Sequence, residues 1–351
     1  MLRPCIVLAL LPGLTALCAC SSAASEEERS RLDDYAARAR AYYDSGDLQR
    51  AEQQARLGLA LDPDDPMLNL LLGRTLLRWQ DPEHVAQARP YLEQAHEQQE
   101  DHKTLYSLGE YHLRYAELLL LTASGKEQRA QELPSEDAGD SKAIESLNTT
   151  ASRQRERASQ HLQEALELLQ AAVASVPTDP YSLRLLANCY THLQRSNDAL
   201  ATLDQLIQVL AESRQFKNER LALMDLPLPQ ENALREDLRH DIELEVEARG
   251  LAAALLKDRK DYRAAEEQLT AVLKLDPDLE REYFNRGICR YWLGELGPAA
   301  EDMQKFLRKT RLGLDSEEVN RALDLIAEYR ARSAGAAAAS STPASAGGAA
   351  R

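Results

Sequence analysis

The chain has 351 residues, 28% of them charged and 44% apolar, the proportions of an ordered soluble protein, which excludes a polytopic membrane fold and a disordered chain. A net charge of −15 disfavours nucleic-acid binding, because that needs clustered Lys and Arg to displace counterions from phosphates. Aromatics are scarce, at 5%, and Ala, Leu, Glu, Gln and Arg dominate, so the composition predicts an all-α fold packed through small residues.

At the N-terminus, Arg3 is followed by an almost unbroken apolar run from Ile6 to Leu17, the length of a signal-peptide core and shorter than the ~20 residues a spanning helix needs. Two cleavage readings follow. Ser21-Ser22-Ala23 offers a small-x-small site and a soluble exported product. Leu17-Cys18-Ala19-Cys20 instead resembles the lipobox of bacterial lipoproteins, with Cys18 where Ala, Ser or Thr is usual. On this second reading, which we adopt, residues 1–19 are removed and Cys20 carries the lipid. By the same resemblance, Ser21 directs the product to the outer membrane. Residues 20–31 then form a linker.

From residue 32 a rhythm sets in. Ala51 precedes Pro63 by twelve residues, as Ala165 precedes Pro177 and Ala265 precedes Pro277. Ten residues beyond each Pro lies a small residue, Gly73, Ala187 or Gly287, and twelve beyond the last two lie Ala199 and Ala299. The period is about 34 residues. Small residues allow two antiparallel helices to cross closely, and Pro ends the second helix of each pair. Two intervals are long: Gly73 to Ala88 is fifteen and Gly109 to Ala165 is fifty-six.

This pattern resembles the tetratricopeptide repeat family. The strongest unit runs from Tyr283-Phe284-Asn285-Arg286-Gly287 through Tyr291-Trp292-Leu293-Gly294 to Ala299, Met303 and Phe306; the first, with Ala39, Tyr42, Gly46, Ala51 and Pro63, is nearly as good. The resemblance implies a right-handed superhelical solenoid of helix-turn-helix repeats, about six of them over residues 32–312. Polar insertions are expected near 122–152, as a loop or frayed helix, and near 212–244, with a break at Leu226-Pro227-Leu228-Pro229 before a long polar helix. Asp315 with Glu318, and a stripe of Val319, Ala322, Leu323, Ile326 and Ala327, predict a capping helix over 313–332. Residues 333–351 are Ala, Gly, Ser, Thr and Pro-rich and read as a disordered tail.

The chain carries no G-x-x-x-x-G-K, H-E-x-x-H or G-x-S-x-G motif, so no catalytic residue, cofactor or small-molecule substrate is expected. The seven histidines are scattered and Cys189-x-x-His192 lacks a second half, so no metal is expected either. Cys189 and Cys289 fall at the same position two repeats apart, roughly 20 Å at about 10 Å between helices, beyond disulfide reach, and read as buried small residues.

The family's first helices line a groove. Carried over by position, groove residues include Arg40, Tyr43, Arg74, Arg78, Tyr181, Arg184, Asn188, Arg281, Phe284, Tyr291 and Trp292, a set rich in the Arg and aromatic side chains that dominate protein interfaces. The Lys and Asn set by which some members clamp a C-terminal carboxylate is missing from the first unit. The expectation is therefore a non-catalytic scaffold that binds partner proteins, held by lipid at the periplasmic face of a bacterial outer membrane. Accessory lipoproteins of outer-membrane, pilus or secretion assemblies share that combination. The rivals are a soluble secreted adaptor, an envelope enzyme, less favoured, using acidic residues of the insertions such as Glu132 and Asp140, and self-assembly through end-to-end stacking of the repeats.

Overall fold

Aspartate side chains start helix after helix in this chain. Those of Asp47, Asp65, Asp81, Asp101, Asp179 and Asp261 each accept a backbone N–H from the first turn that follows, neutralising otherwise orphaned donors. The computed structural model describes residues 26–79, 81–134, 138–223 and 226–340. Among them are thirteen helices and no strand, as composition predicts. The signal-peptide and lipobox readings, including Cys20, and residues 341–351 lie outside the described residues. The chain divides into two units, 1–99 and 100–351.

In the first unit, α1 (Glu26–Ser45) pairs with α2 (Leu48–Leu59), and α3 (Pro66–Arg78) with α4 (Pro82–Gln98). Residues 26–31, expected as linker, are the first turns of α1. The Asp-Pro junction works as read. Pro66 occupies the first turn of α3, Asp65 caps it, and the buried Asn69 donates to the Pro63 and Asp65 carbonyls at 2.8 and 3.0 Å. The small crossing residue is sterically required: a Cβ on Gly73 would lie 2.5 Å from Leu92 on α4.

In the second unit the pairs are α5 (His102–Glu132) with α6 (Ala138–Ser175), α7 (Pro180–His192) with α8 (Ser196–Leu223), α9 (Leu228–Asp258) with α10 (Tyr262–Leu275), and α11 (Glu280–Trp292) with α12 (Leu296–Lys309); α13 (Glu317–Ser340) packs on α12 and α11. Here too glycines mark the crossings. Cβ atoms on Gly109 and Gly287 would lie 2.8 Å from Leu169 and 2.7 Å from Met303.

The first insertion is not a loop. It is the far half of the α5–α6 hairpin, and the reason is an alanine seam. Ala116, Ala123 and Ala130 on α5 and Ala151, Ala158, Ala165 and Ala172 on α6 recur every seven residues and are all buried. A seven-residue repeat keeps one seam facing its partner along the whole length of two helices. Arg155 forks onto Glu127 at 2.8 and 2.6 Å, and Lys126 reaches Gln154 at 3.1 Å. These pairs fix the register, setting Ala123 level with Ala158.

The second insertion breaks where the prolines predict, and its two arms pack through charge. On α9, buried Asp241 accepts from Lys217 Nζ at 2.6 Å and from Ser213 Oγ at 2.7 Å, while buried Glu245 is held by Arg214 and Arg249.

At the C-terminal end a buried ion network ties α10, α11 and α12 together. Arg286 forks onto Asp302 at 2.9 and 2.8 Å, Arg290 adds a third bond to Asp302 at 2.9 Å, and Arg290 also grips Glu266. Burial pushes the Glu266 carboxyl up, but the Arg290 guanidinium, with the Thr270 hydroxyl and the Arg286 charge, more than offsets this and holds it below the usual carboxylate range.

The cap differs from expectation in three ways. Helix α13 continues through Ser340, so residues 333–340 are helical rather than tail. Its leading side-chain contact is Ser316 Oγ to Glu318 at 2.7 Å, in place of the Asp315–Glu318 pair. Its buried face is Val319, Ala322, Leu325 and Ile326, whereas Leu323 and Ala327 are exposed.

Candidate functional site

The residues expected in the groove meet different fates. In the first unit, three of the four come together. The half-buried Tyr43 ring on α1 faces two guanidiniums from α3, Arg74 at 5.1 Å and Arg78 at 4.9 Å. Arg78 also donates to the Tyr43 carbonyl at 2.8 Å. Neither arginine has a carboxylate within 4.0 Å among the described residues, so two cationic charges stand on the surface of a strongly acidic chain. Arg40 is instead turned to Asp44 at 4.0 Å, and exposed Trp79 follows Arg78 at the end of α3.

In the second unit the structure uses most of the expected residues for packing. Tyr181 on α7 bonds His240 of α9 at 2.8 Å with its ring stacked on the imidazole, and Arg184 pairs with Glu247 at 3.5 Å. Burial and the neighbouring Asp179 and Asp241 raise the Tyr181 phenol above its ordinary pKa. Asn188 is half-buried and Arg281 exposed. Phe284 and Tyr291 are half-buried against the core that α13 completes: Phe284 packs on Phe306 of α12 and lines an open cavity with Glu317, Arg321 and Asp324 of α13, and Arg321 lies over the Tyr291 ring at 5.3 Å. Trp292 remains 58% exposed, stacked on Tyr262 at 5.8 Å.

Glu132 and Asp140, named for the rival enzymatic reading, lie at the end of α5 and the start of α6. Cys189 and Cys289 are buried free thiols in separate core clusters. Burial pushes them up to about 12 and about 11, consistent with a packing role.

One cluster was not anticipated. His112 on α5 and His161 on α6 turn their Nδ1 atoms toward each other at 2.9 Å, and Glu164, one turn after His161, brings Oε2 to 2.7 Å from His112 Nδ1 and 3.4 Å from His161 Nδ1. All three ligand-type atoms lie within 4.8 Å of one another. The two imidazoles are 49 residues apart, and only the long hairpin brings them together. The sole sequence signal is the His161-x-x-Glu164 spacing on one helix face.

Residues 156–218 match the tetratricopeptide repeat family model. They span the C-terminal half of α6, all of α7 and most of α8, a stretch that contains one complete tetratricopeptide-type hairpin with its Asp179 cap and its Ala187–Ala199 crossing. No curated protein matches the chain. Solved structures similar to it include a thermophilic tetratricopeptide repeat protein of Thermus thermophilus, at 17% identity over 75% of this chain and 98% of that one, with a TM-score of 0.42. The C-terminal part of a tetratricopeptide repeat-containing protein of Cytophaga hutchinsonii is 11% identical over 84% and 87%, with a TM-score of 0.47. Pseudomonas aeruginosa pilF is 12% identical over 88% and 92%, with a TM-score of 0.35.

Proposed function

We propose that this chain is a non-catalytic adaptor of the bacterial cell envelope that binds partner proteins through its first-helix surface and is tethered by lipid on Cys20. The observation that carries the binding reading is the Tyr43–Arg74–Arg78 patch. Two guanidiniums with no carboxylate partner among the described residues, ordered over an aromatic ring, are preorganised to take a carboxylate-bearing extended segment, because an Arg fork matches a carboxylate with two parallel bonds. Arg and Tyr are also the side chains most often found at interface hot spots. The patch therefore favours an acidic segment of a partner protein. The tether rests on the Leu17-Cys18-Ala19-Cys20 sequence, and lipid would raise the local concentration of the adaptor at the membrane.

The test is a crosslinked pull-down from native membranes with the intact protein, a Cys20→Ser form and an Arg74→Glu plus Arg78→Glu form. The expected result is an envelope partner recovered with the intact protein and lost with the double Glu form. Release of the Cys20→Ser form into the detergent-free soluble fraction is expected as well. A partner retained by the double Glu form overturns the assignment of the patch, and a Cys20→Ser form that still sediments with membranes overturns the tether.

A further inference from the structure

We propose that His112, His161 and Glu164 form a divalent transition-metal site, zinc by preference, that clasps α5 to α6 midway along their hairpin. Three lone-pair atoms converge there from two helices. Without a cation they compete for protons. His112 Nδ1 carries at most one hydrogen, yet it faces His161 Nδ1 at 2.9 Å and Glu164 Oε2 at 2.7 Å. One proton serves one of those contacts well and the other only as a bent, shared bond. A single cation satisfies all three at once.

The dimensions suit it. At the ~2.05 Å that zinc keeps from imidazole nitrogen and carboxylate oxygen, a point equidistant from the three atoms lies about 1 Å off their plane. That is steeper than the ~0.7 Å of an ideal tetrahedral site at the same bond length, so a bound ion would spread the three atoms by a few tenths of an ångström and leave one corner for water. Two imidazoles with one carboxylate favour zinc and its first-row neighbours over calcium or magnesium, which take oxygen ligands.

The surroundings fit as well. The His112 side chain is 6% exposed and that of Glu164 is 53% exposed, so one wall is fixed and the other opens to solvent as an entry path. Tyr111 and Tyr115 present ring edges to the imidazoles, at 5.0 Å from His112 and 4.8 Å from His161, and restrain their tilt. The clasp sits one turn from Gly109, where the two helices approach closely.

The experiment uses the untagged full chain, stripped of metal, with Zn²⁺ titrated against a chromophoric chelator and Co²⁺ as a spectroscopic probe. Expected are one equivalent of Zn²⁺ and visible Co²⁺ bands of a four-coordinate site. The variants are His161→Gln and Glu164→Gln, which change the two more accessible ligands and spare buried His112. Each should bind about tenfold or more weakly while keeping wild-type helicity by circular dichroism. Binding of less than one equivalent, or Zn²⁺ affinity unchanged in both folded variants, overturns the proposal.

Discussion

Removing the Asp302 carboxylate should cost the second unit a large part of its C-terminal stability. Its side chain is 1% exposed and accepts three hydrogen bonds, two from Arg286 and one from Arg290. In Asp302→Ala, Arg290 keeps Glu266 at 2.8 Å. Arg286, 10% exposed, is left with Thr270 Oγ1 at 3.2 Å and the face of Tyr283 at 5.7 Å. The loss is therefore that of one uncompensated buried charge, about 3–5 kcal/mol. The double variant Asp302→Ala plus Arg286→Met should recover most of it, since a buried pair replaced by apolar groups is close to neutral. Urea unfolding followed by Trp292 fluorescence in a Trp79→Phe background isolates this end of the chain, because the chain has two tryptophans and Trp292 stacks across α10 and α11. A destabilisation below about 1 kcal/mol for Asp302→Ala, or a double variant less stable than the single one, would refute the reasoning.

Three further outcomes follow from the packing. Four hairpins turn through the same pair of backbone bonds, seen at Gly46, Gln194, Lys260 and Gly294, all with positive φ; Gln194→Gly and Lys260→Gly should each stabilise by a few tenths to about 1 kcal/mol, and a lowered urea midpoint for both would sink the strain argument. Ala123→Leu should destabilise by about 1–3 kcal/mol through overpacking of the α5–α6 seam, whereas a neutral effect would mean that the two helices do not pack there. In the Cys20→Ser protein freed of residues 1–19, Cys189 and Cys289 should react with a thiol reagent at pH 8 only as fast as the chain opens, their thiolate fraction being on the order of 10⁻³ to 10⁻⁴ in the folded state; prompt modification of either would contradict their burial.

What could be read from residues alone was whatever sterics impose locally. Gly73, Gly109 and Gly287 announce helix crossings because a Cβ there would press on the facing helix, and the Asp-Pro junctions announce helix starts because orphan N–H groups need an acceptor. What could not be read depended on a partner distant in sequence. Phe284 and Tyr291 hold groove positions by family register, yet each is half-buried and has α13 side chains beside it, Arg321 over Tyr291 and Glu317 across the cavity from Phe284. Leu325 rather than Leu323 shares the buried face of α13 with Val319, Ala322 and Ile326, a choice that the helix's own apolar pattern leaves open. The Gln194 and Lys260 turns carry no glycine to mark them, and their left-handed geometry comes from the helices they join. His112 and His161 look scattered until the hairpin folds.

The first insertion shows how a polar stretch can be helical. Its composition, with Ser, Thr, Glu, Gln and Lys outside the seam, suggests a solvated loop, and only every seventh residue, an alanine, argues otherwise. Antiparallel pairing turns those single residues into layers, Ala116 with Ala165, Ala123 with Ala158 and Ala130 with Ala151, spaced by about 10.5 Å at 1.5 Å per residue. Each layer buries little apolar area, so the seam alone gives a weak hairpin. The Arg155–Glu127 fork is exposed and adds little. Towards the other end of the same hairpin the buried His112, the partly buried His161 and the more exposed Glu164 bring polar groups from both helices together. A cation there would fix register and spacing together at the base of the extension, where close backbone approach at Gly109 leaves little room for the helices to slide.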